Sequence, residues 1–396
     1  MSSHMNNNPQ CKWDPLSESI AQDQISGYDR LRHQCPVAHS ERFHWSLFKH
    51  ADVMRVLETP GRFSNVVSPH LSVPNGMDPP IHAAYRRMID CYFSPARMDE
   101  FEPICREIAV KRVAALPVNG GIELMREFAE LYAAEIQCGF LEWPAGLHEP
   151  LRRWSQKNFA ATLACDRPAM AAIAHEFEGY VNTLLFERRH QKALTGDDVL
   201  SRLMQERVNG EPLTDEEIVS ILRNWTVGEL ATIAAAVGIL VHYLAVHLAL
   251  QHQLRKQISL LPVAIDEILR IRAPLIASRR ITTEPTEIGG QPMVAGDRLT
   301  LIWASANRDE TVFGDPDEFR LDRDPATNLL YGAGIHVCPG APLARMELRV
   351  ILEELLKHSH TFTVTVGKEL IMAVYPGSGF SSLPVSVYKK DHRDIA

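Results

Sequence analysis

At 396 residues, 45% hydrophobic and 23% charged, the chain has the ordinary make-up of a soluble globular protein, long for one domain but within reach of a single large core. A net charge of -8 argues against nucleic acid as a main partner, because phosphate binding needs a basic surface. Seven cysteines, odd in number and without a Cys-x-x-Cys pair, indicate neither a disulfide framework nor a zinc site and suit a reducing cytoplasm.

The opening "MSSHM" looks like a cloning remnant, which sets residues 1–4 aside, and residues 5–15 are a polar tail without the apolar centre of a signal peptide. Residues 16–396 read as one domain. Apolar spacing predicts helices over 47–58, 80–92, 99–115, 121–142, 169–191, 197–206, 215–225, 226–256, 262–272 and 342–358. The proline-rich stretch 66–80, "VVSPHLSVPNGMDPP", is a long loop, either functional, mobile or a plain surface connection. Strand signals come late, at 279–303, 361–366 and 383–388. The expected fold class is therefore mainly α with small β-sheets, and no internal repeat is present.

One segment, "TVGELATIAAAVGILVHYLAVHLAL" from Thr226, is apolar enough to suggest a membrane span. His242, His247 and the lack of a positively flanked second span favour a helix buried in a core instead. Near the end, "YGAGIHVCPGAPLARMELRV" surrounds Cys338 with glycines and runs straight into a helix. Backbone dipoles at a helix start favour a thiolate, so Cys338 is set up as a metal ligand or a nucleophile, whereas a lone buried cysteine is usually a small hydrophobe.

The surroundings of Cys338 resemble the haem-binding signature of cytochromes P-450, Phe-Gly-x-Gly-x-His/Arg-x-Cys-x-Gly. Gly332, Gly334, His336, Cys338 and Gly340 match, and Tyr331 keeps an aromatic ring where the family has Phe. Four further matches follow the family order. They are "DPPIHAAYRRMI" from Asp78, Glu267-Ile-Leu-Arg270, "RAPLIASRRITTEPTEIGG" and "ANRDETVFGDPDEFRLDR". The resemblance implies the cytochrome P-450 fold, a triangular helical prism with haem b between a central oxygen-binding helix and the cysteine loop. It also implies a buried charge network of Glu267, Arg270 and Arg323, with Arg320 as runner-up for the third place.

By the same resemblance Cys338 ligates iron, and His82, Arg86, Arg279 and His336 pair with the propionates, with Tyr331, Gly332 and Gly340 around the haem. Asn328 stands where many relatives have His, which puts one propionate contact in doubt. On the oxygen helix Thr232 falls on the usual threonine, Ala231 takes the place of the acid and Glu229 that of a glycine. A register slid by one residue puts Leu230 and Ala231 there instead. In the first register Glu229, one turn earlier on the same face, supplies protons while Thr232 holds the dioxygen co-substrate and a water; a purely structural pairing of Glu229 with a cation is the alternative. Substrate-pocket candidates are the 66–77 loop, the region 154–165, Val227, Gly228, Leu275, Ile276 and Phe380 within 378–383.

The implied activity is a haem-thiolate monooxygenase, hydroxylating or oxidatively dealkylating a small or medium organic substrate. Alternatives are a peroxygenase driven by hydrogen peroxide and a non-catalytic haem sensor or electron-transfer protein. No flavin, nicotinamide or iron–sulfur motif is apparent. Electrons are expected from a ferredoxin or flavodoxin with its NAD(P)H reductase, or from a fused reductase outside this chain. A monomer in the cytoplasm, without membrane or nucleic-acid contact, completes the expectation.

Overall fold

The computed structural model describes residues 11–117, 119–190 and 198–389; the expected remnant at 1–4 and most of the tail lie outside them. At the centre runs one helix, Asp215–Val246. Thr214 and Glu217 cap its start reciprocally, and Asp215, Glu216 and Glu217 place negative charge against its positive end. Its length and composition would suit a membrane, but it is buried by the helices Glu130–Leu141, Arg167–His190, Leu261–Ile271 and Ala341–His358. The all-round apolarity therefore belongs to a core helix. The two segments expected at 215–225 and 226–256 are one helix to Val246; the chain breaks at His247 and restarts as Leu248–Lys256.

The strands form two main sheets. The larger has the order Val37–Ser40, His44–Leu47, Arg298–Ile302, Ala277–Thr282 and Phe63–Ser64. Its register sets Thr300 opposite Arg279 and Leu299 opposite Arg280, so these adjacent arginines leave the strand on opposite faces. The smaller joins Ser359–Val364, Pro384–Lys389 and Gly120–Glu123. The helix expected over 121–142 is thus corrected: it begins as a strand, passes through a π-turn at Met125–Ala129 and becomes regular only at Glu130. Cys11 and Cys35 lie side by side with Cα atoms 6.2 Å apart, a separation that a disulfide spans and a pairing that the cysteine count and spacing did not indicate.

Glu267 and Arg270, one turn apart on Leu261–Ile271, are both buried and joined at 2.8 and 2.9 Å. Arg323 Nε donates to Glu267 Oε1 at 2.9 Å, while the guanidinium of Arg320 grips Asp322 at the surface. Arg270 also donates to the carbonyls of Asn307 (2.8 Å) and Pro316 (3.0 Å), fastening the segment that leads into the cysteine loop.

Candidate active site

The cysteine loop is shaped by backbone that few residues adopt. Gly334 has φ +70°, and a Cβ there would lie 2.6 Å from the Leu57 carbonyl oxygen, so only glycine fits. Cys338 N–H donates to Tyr331 O at 2.8 Å. Arg86 braces the loop from the helix Ile81–Asp90, donating to the carbonyls of Ile335 (3.2 Å) and Val337 (2.6 Å) while paired with Asp90. Directly after the loop starts the helix Ala341–His358, with Pro342 in its first turn.

Cys338 is accessible from an internal cavity and enclosed on its other sides. That enclosure pushes the thiol pKa up, against the pull of the Gly340 and Ala341 backbone amides and the Arg86 charge. A metal cation bound by the sulfur would supply the charge that reverses this balance. Gly332 and Gly340 line the same cavity, which measures about 560 Å³. Its opposite wall is the central helix, through Val227, Gly228, Glu229, Thr232, Ile233 and Ala236.

At the rim, His82 Nε2, His336 Nε2 and Tyr331 Oη are buried without a hydrogen-bond partner. The two imidazoles lie 4.1 Å apart between centroids. Burial, then the neighbouring His82 and Arg280, brings the His336 pKa down to about 3, so the ring is neutral at pH 7. Arg280 is buried and donates only to Ser278 Oγ and the Arg279 carbonyl, with no carboxylate partner; burial lowers its pKa to about 10. Neutral imidazoles without acceptors and a buried guanidinium without an anion are a donor set that fits a bound carboxylate. The expectation for Arg279 is corrected here. It touches the rim but is exposed, and its charge bears on His44, because Arg280 takes the inward face of the strand. Asn328 does not line the cavity; its amide donates to Asp266 O at 3.2 Å.

The 66–77 loop lines the cavity with Val67, Ser68, His70, Ser72 and Pro74, and is pinned to the central helix by Ser220 and Asn224. Val227, Gly228 and Leu275 also line it. Ile276 and Phe380 do not. Ile276 packs into the core beside Tyr28 and Phe48, and Phe380 stacks on His242 at 4.6 Å. No residue of 154–165 or 378–383 reaches the cavity. Sequence reasoning missed Phe93, Gln137, Phe140 and Trp225 on its walls. Gln137 had a readable signal, being with Glu135 one of two long polar side chains in the otherwise largely apolar run "LYAAEIQCGFL".

Thr232 Oγ1 donates to the Gly228 carbonyl one turn back. Glu229, in contrast, borders the cavity but sets its carboxyl against that of Glu347, a partner sequence reasoning also missed. A family model for Cytochrome P450 matches residues 157–384. This chain is a cytochrome P450. It is 31% identical to erythromycin C-12 hydroxylase of Saccharopolyspora erythraea over 348 residues, 84% of this chain and 86% of that protein. It is 30% identical to cytochrome P450-terp of a Pseudomonas species, across 96% and 93% of the two chains. CYP109E1 from Bacillus megaterium in complex with testosterone superposes with a TM-score of 0.81 at 29% identity, over 92% of this chain and 99% of that one. As a bacterial-type P450, the protein is a haem-thiolate monooxygenase with O2 as co-substrate.

Proposed function

We propose that this P450 oxygenates a small or medium apolar or aromatic compound, by hydroxylation or oxidative dealkylation, as a single haem domain acting as a monomer in the cytoplasm. What carries the proposal is one cavity that has the Cys338 thiol on its floor, the Thr232 face of the central helix as its roof, and at its rim the unpartnered His82 and His336 beside Arg280, a buried guanidinium without a carboxylate partner. Cys338 is the iron ligand. His82, Arg280 and His336 hold the propionates, Arg86 fixes the loop beneath, and Tyr331, Gly332 and Gly340 border the macrocycle. When bound, haem activates dioxygen so that one atom enters the substrate and the other leaves as water, with two electrons supplied from outside. The apolar walls exclude water, Thr232 orients dioxygen and a water, and Glu229 holds a proton within reach of that face. Electrons come from a ferredoxin or flavodoxin with an NAD(P)H reductase, or from a reductase fused beyond this chain.

Turnover of a compound panel with a reductase system, set beside turnover with peroxide alone, tests the reading. Product from the reductase system supports it, and product from peroxide only makes the protein a peroxygenase. Movement of the Soret band on binding identifies the substrate class.

Arg280→Leu is expected to weaken haem retention about tenfold or more, the loss of one charge-assisted bond worth about 1.5–3 kcal/mol. Arg279→Leu is expected to leave retention near wild type, and haem transfer to an acceptor protein measures both. Glu229→Gln and Thr232→Ala are each expected to divert reducing equivalents to peroxide and cut coupled product by up to about a hundredfold, the lower range for loss of a positioned acid. Unchanged product-to-NAD(P)H ratios in both variants would remove these residues from the proton route.

A further inference from the structure

On the face of the larger sheet turned away from Arg280, two guanidinium groups stand at the mouth of the cavity without a carboxylate. Arg279 touches the cavity and is exposed, and among the described residues its side chain makes no hydrogen bond or ion pair. Arg298, on the neighbouring strand, is exposed and lies opposite Ile281, two residues from Arg279. Strand residues two apart share a face, so the two arginines are diagonal neighbours on it. Arg298 Nη1 donates to the Val67 carbonyl at 3.1 Å, which ties this charge to the loop that lines the cavity. The register puts His44 of the next strand on the same face. Its partial burial first, then the charges of Arg298, His39 and Arg279, hold that imidazole below its ordinary range, against the single opposing charge of Asp297. Asp297 itself turns back to accept the Val294 N–H at 2.8 Å, and Glu284, past the end of the Arg279 strand, pairs with Arg62.

Like charges gathered on one sheet face repel, and the fold gains nothing from them. Haem has no need of them either, since His82, Arg280 and His336 supply donors from the other side of the strand. Among the described residues Glu229, set in the roof, is the one acid that lines the cavity, so an anion arriving at this mouth meets cations first. We propose that Arg279 and Arg298 bind the carboxylate of an apolar organic acid, which then lies with its acid group at the mouth and its apolar end beside Thr232. This rests on the monooxygenase reading above and names the substrate class for it. A guanidinium presents a planar fork of N–H groups that matches the two oxygens of a carboxylate. Arg279 is free to grip in this way, and Arg298, already held by Val67, adds charge at a fixed place. Val67 and Leu275 receive the apolar part of the molecule next to its head. Oxygenation converts a C–H bond remote from the acid group into C–OH, with the second oxygen atom leaving as water and the two electrons coming from the reductase. The carboxylate is unchanged.

Soret titrations of the haem-loaded full chain test the site. The probes are phenylalkanoates and straight-chain acids from hexanoate to hexadecanoate, each set beside its methyl ester. At least one acid is expected to bind about tenfold tighter than its ester, from two exposed ion pairs of up to about fivefold each. Added salt should erode that preference, because exposed charges are screened. Arg279→Gln and Arg298→Gln are each expected to lower the acid-to-ester affinity ratio about threefold to fivefold. A loop merely loosened by loss of the Val67 bond would weaken acid and ester alike, so the ratio reads the charge and not the packing. The product of the preferred acid should carry its new hydroxyl away from the carboxyl group. The proposal is overturned if no acid binds, if esters bind as tightly as acids, if Arg279→Gln leaves the ratio unmoved, or if the hydroxyl appears on the carbon bearing the carboxyl. Should a variant fail to fold, the wild-type comparison of acid with ester decides alone. The carbon monoxide spectrum of the reduced wild type separates the two levels: its loss defeats the P450 assignment of the cavity, whereas an intact spectrum without a preference for acids defeats only the anion site.

Discussion

Cys338→Ser is expected to abolish the long-wavelength carbon monoxide absorption of the reduced protein and to lower reductase-driven turnover by about a thousandfold or more. The sulfur anion pushes electron density toward the bound oxidant and so favours O–O cleavage. A serine hydroxyl ionises far less readily and cannot replace that push, and a loss of about 4 kcal/mol of barrier lowering already gives the thousandfold effect. The substitution is nearly isosteric. The backbone bonds that shape the loop, Cys338 N–H to Tyr331 O and the two Arg86 contacts, do not involve the sulfur. Thermal stability of the haem-free protein is therefore expected to stay within about 1 kcal/mol of wild type. An unchanged carbon monoxide spectrum in the serine variant would show that another residue ligates the iron, and the assignment of the cavity floor would fail with it.

The cysteine loop was legible because its chemistry dictates residue types. A thiol is needed at one place, and glycine at Gly334, where the Leu57 carbonyl leaves no room for a side chain. The paired Glu267 and Arg270 were legible only through the resemblance, since a Glu-x-x-Arg spacing is common on solvated helices and marks a buried pair only beside the other matching motifs. The choice between Arg279 and Arg280 was not. Adjacent strand residues point to opposite faces, and only the pairing with Arg298–Ile302 decides which face turns inward. The N-terminal strands escaped for want of local signal, being four residues each; Val37–Ser40 pairs with His44–Leu47, which is itself held by a partner about 250 positions away, as in Leu47 beside Leu301. Ile276 and Phe380 were recognised as apolar, but burial alone does not tell a cavity wall from solid core. Glu347 was read only as part of a helix motif, because its meeting with Glu229 depends on how two helices cross.

Arg270→Ala is expected to cost about 3–5 kcal/mol, lowering the melting temperature by about 5–15 °C, because it strips a buried carboxylate of its main partner. Arg270 is 1% exposed and Glu267 4%. The alanine leaves Glu267 with Arg323 and the Arg320 backbone N–H, and orphans the carbonyls of Asn307 and Pro316. The damage reaches the haem site by a short path. Asn307 Oδ1 accepts the Leu329 N–H at 2.7 Å, and Leu329 lies two residues before Tyr331 at the mouth of the cysteine loop. Weaker haem retention should therefore accompany the lost stability. Arg320→Ala is the internal control, because its guanidinium binds only Asp322 at the surface and its backbone N–H remains; its cost should stay within about 0.5 kcal/mol. Arg323→Ala should fall between them, since Arg270 still neutralises Glu267. The double variant Glu267→Ala/Arg270→Ala should be less damaged than the sum of the single changes, as removing both charges leaves none unpaired. Strict additivity in thermal unfolding would mean that the two charges act independently and that the network does not fix the loop.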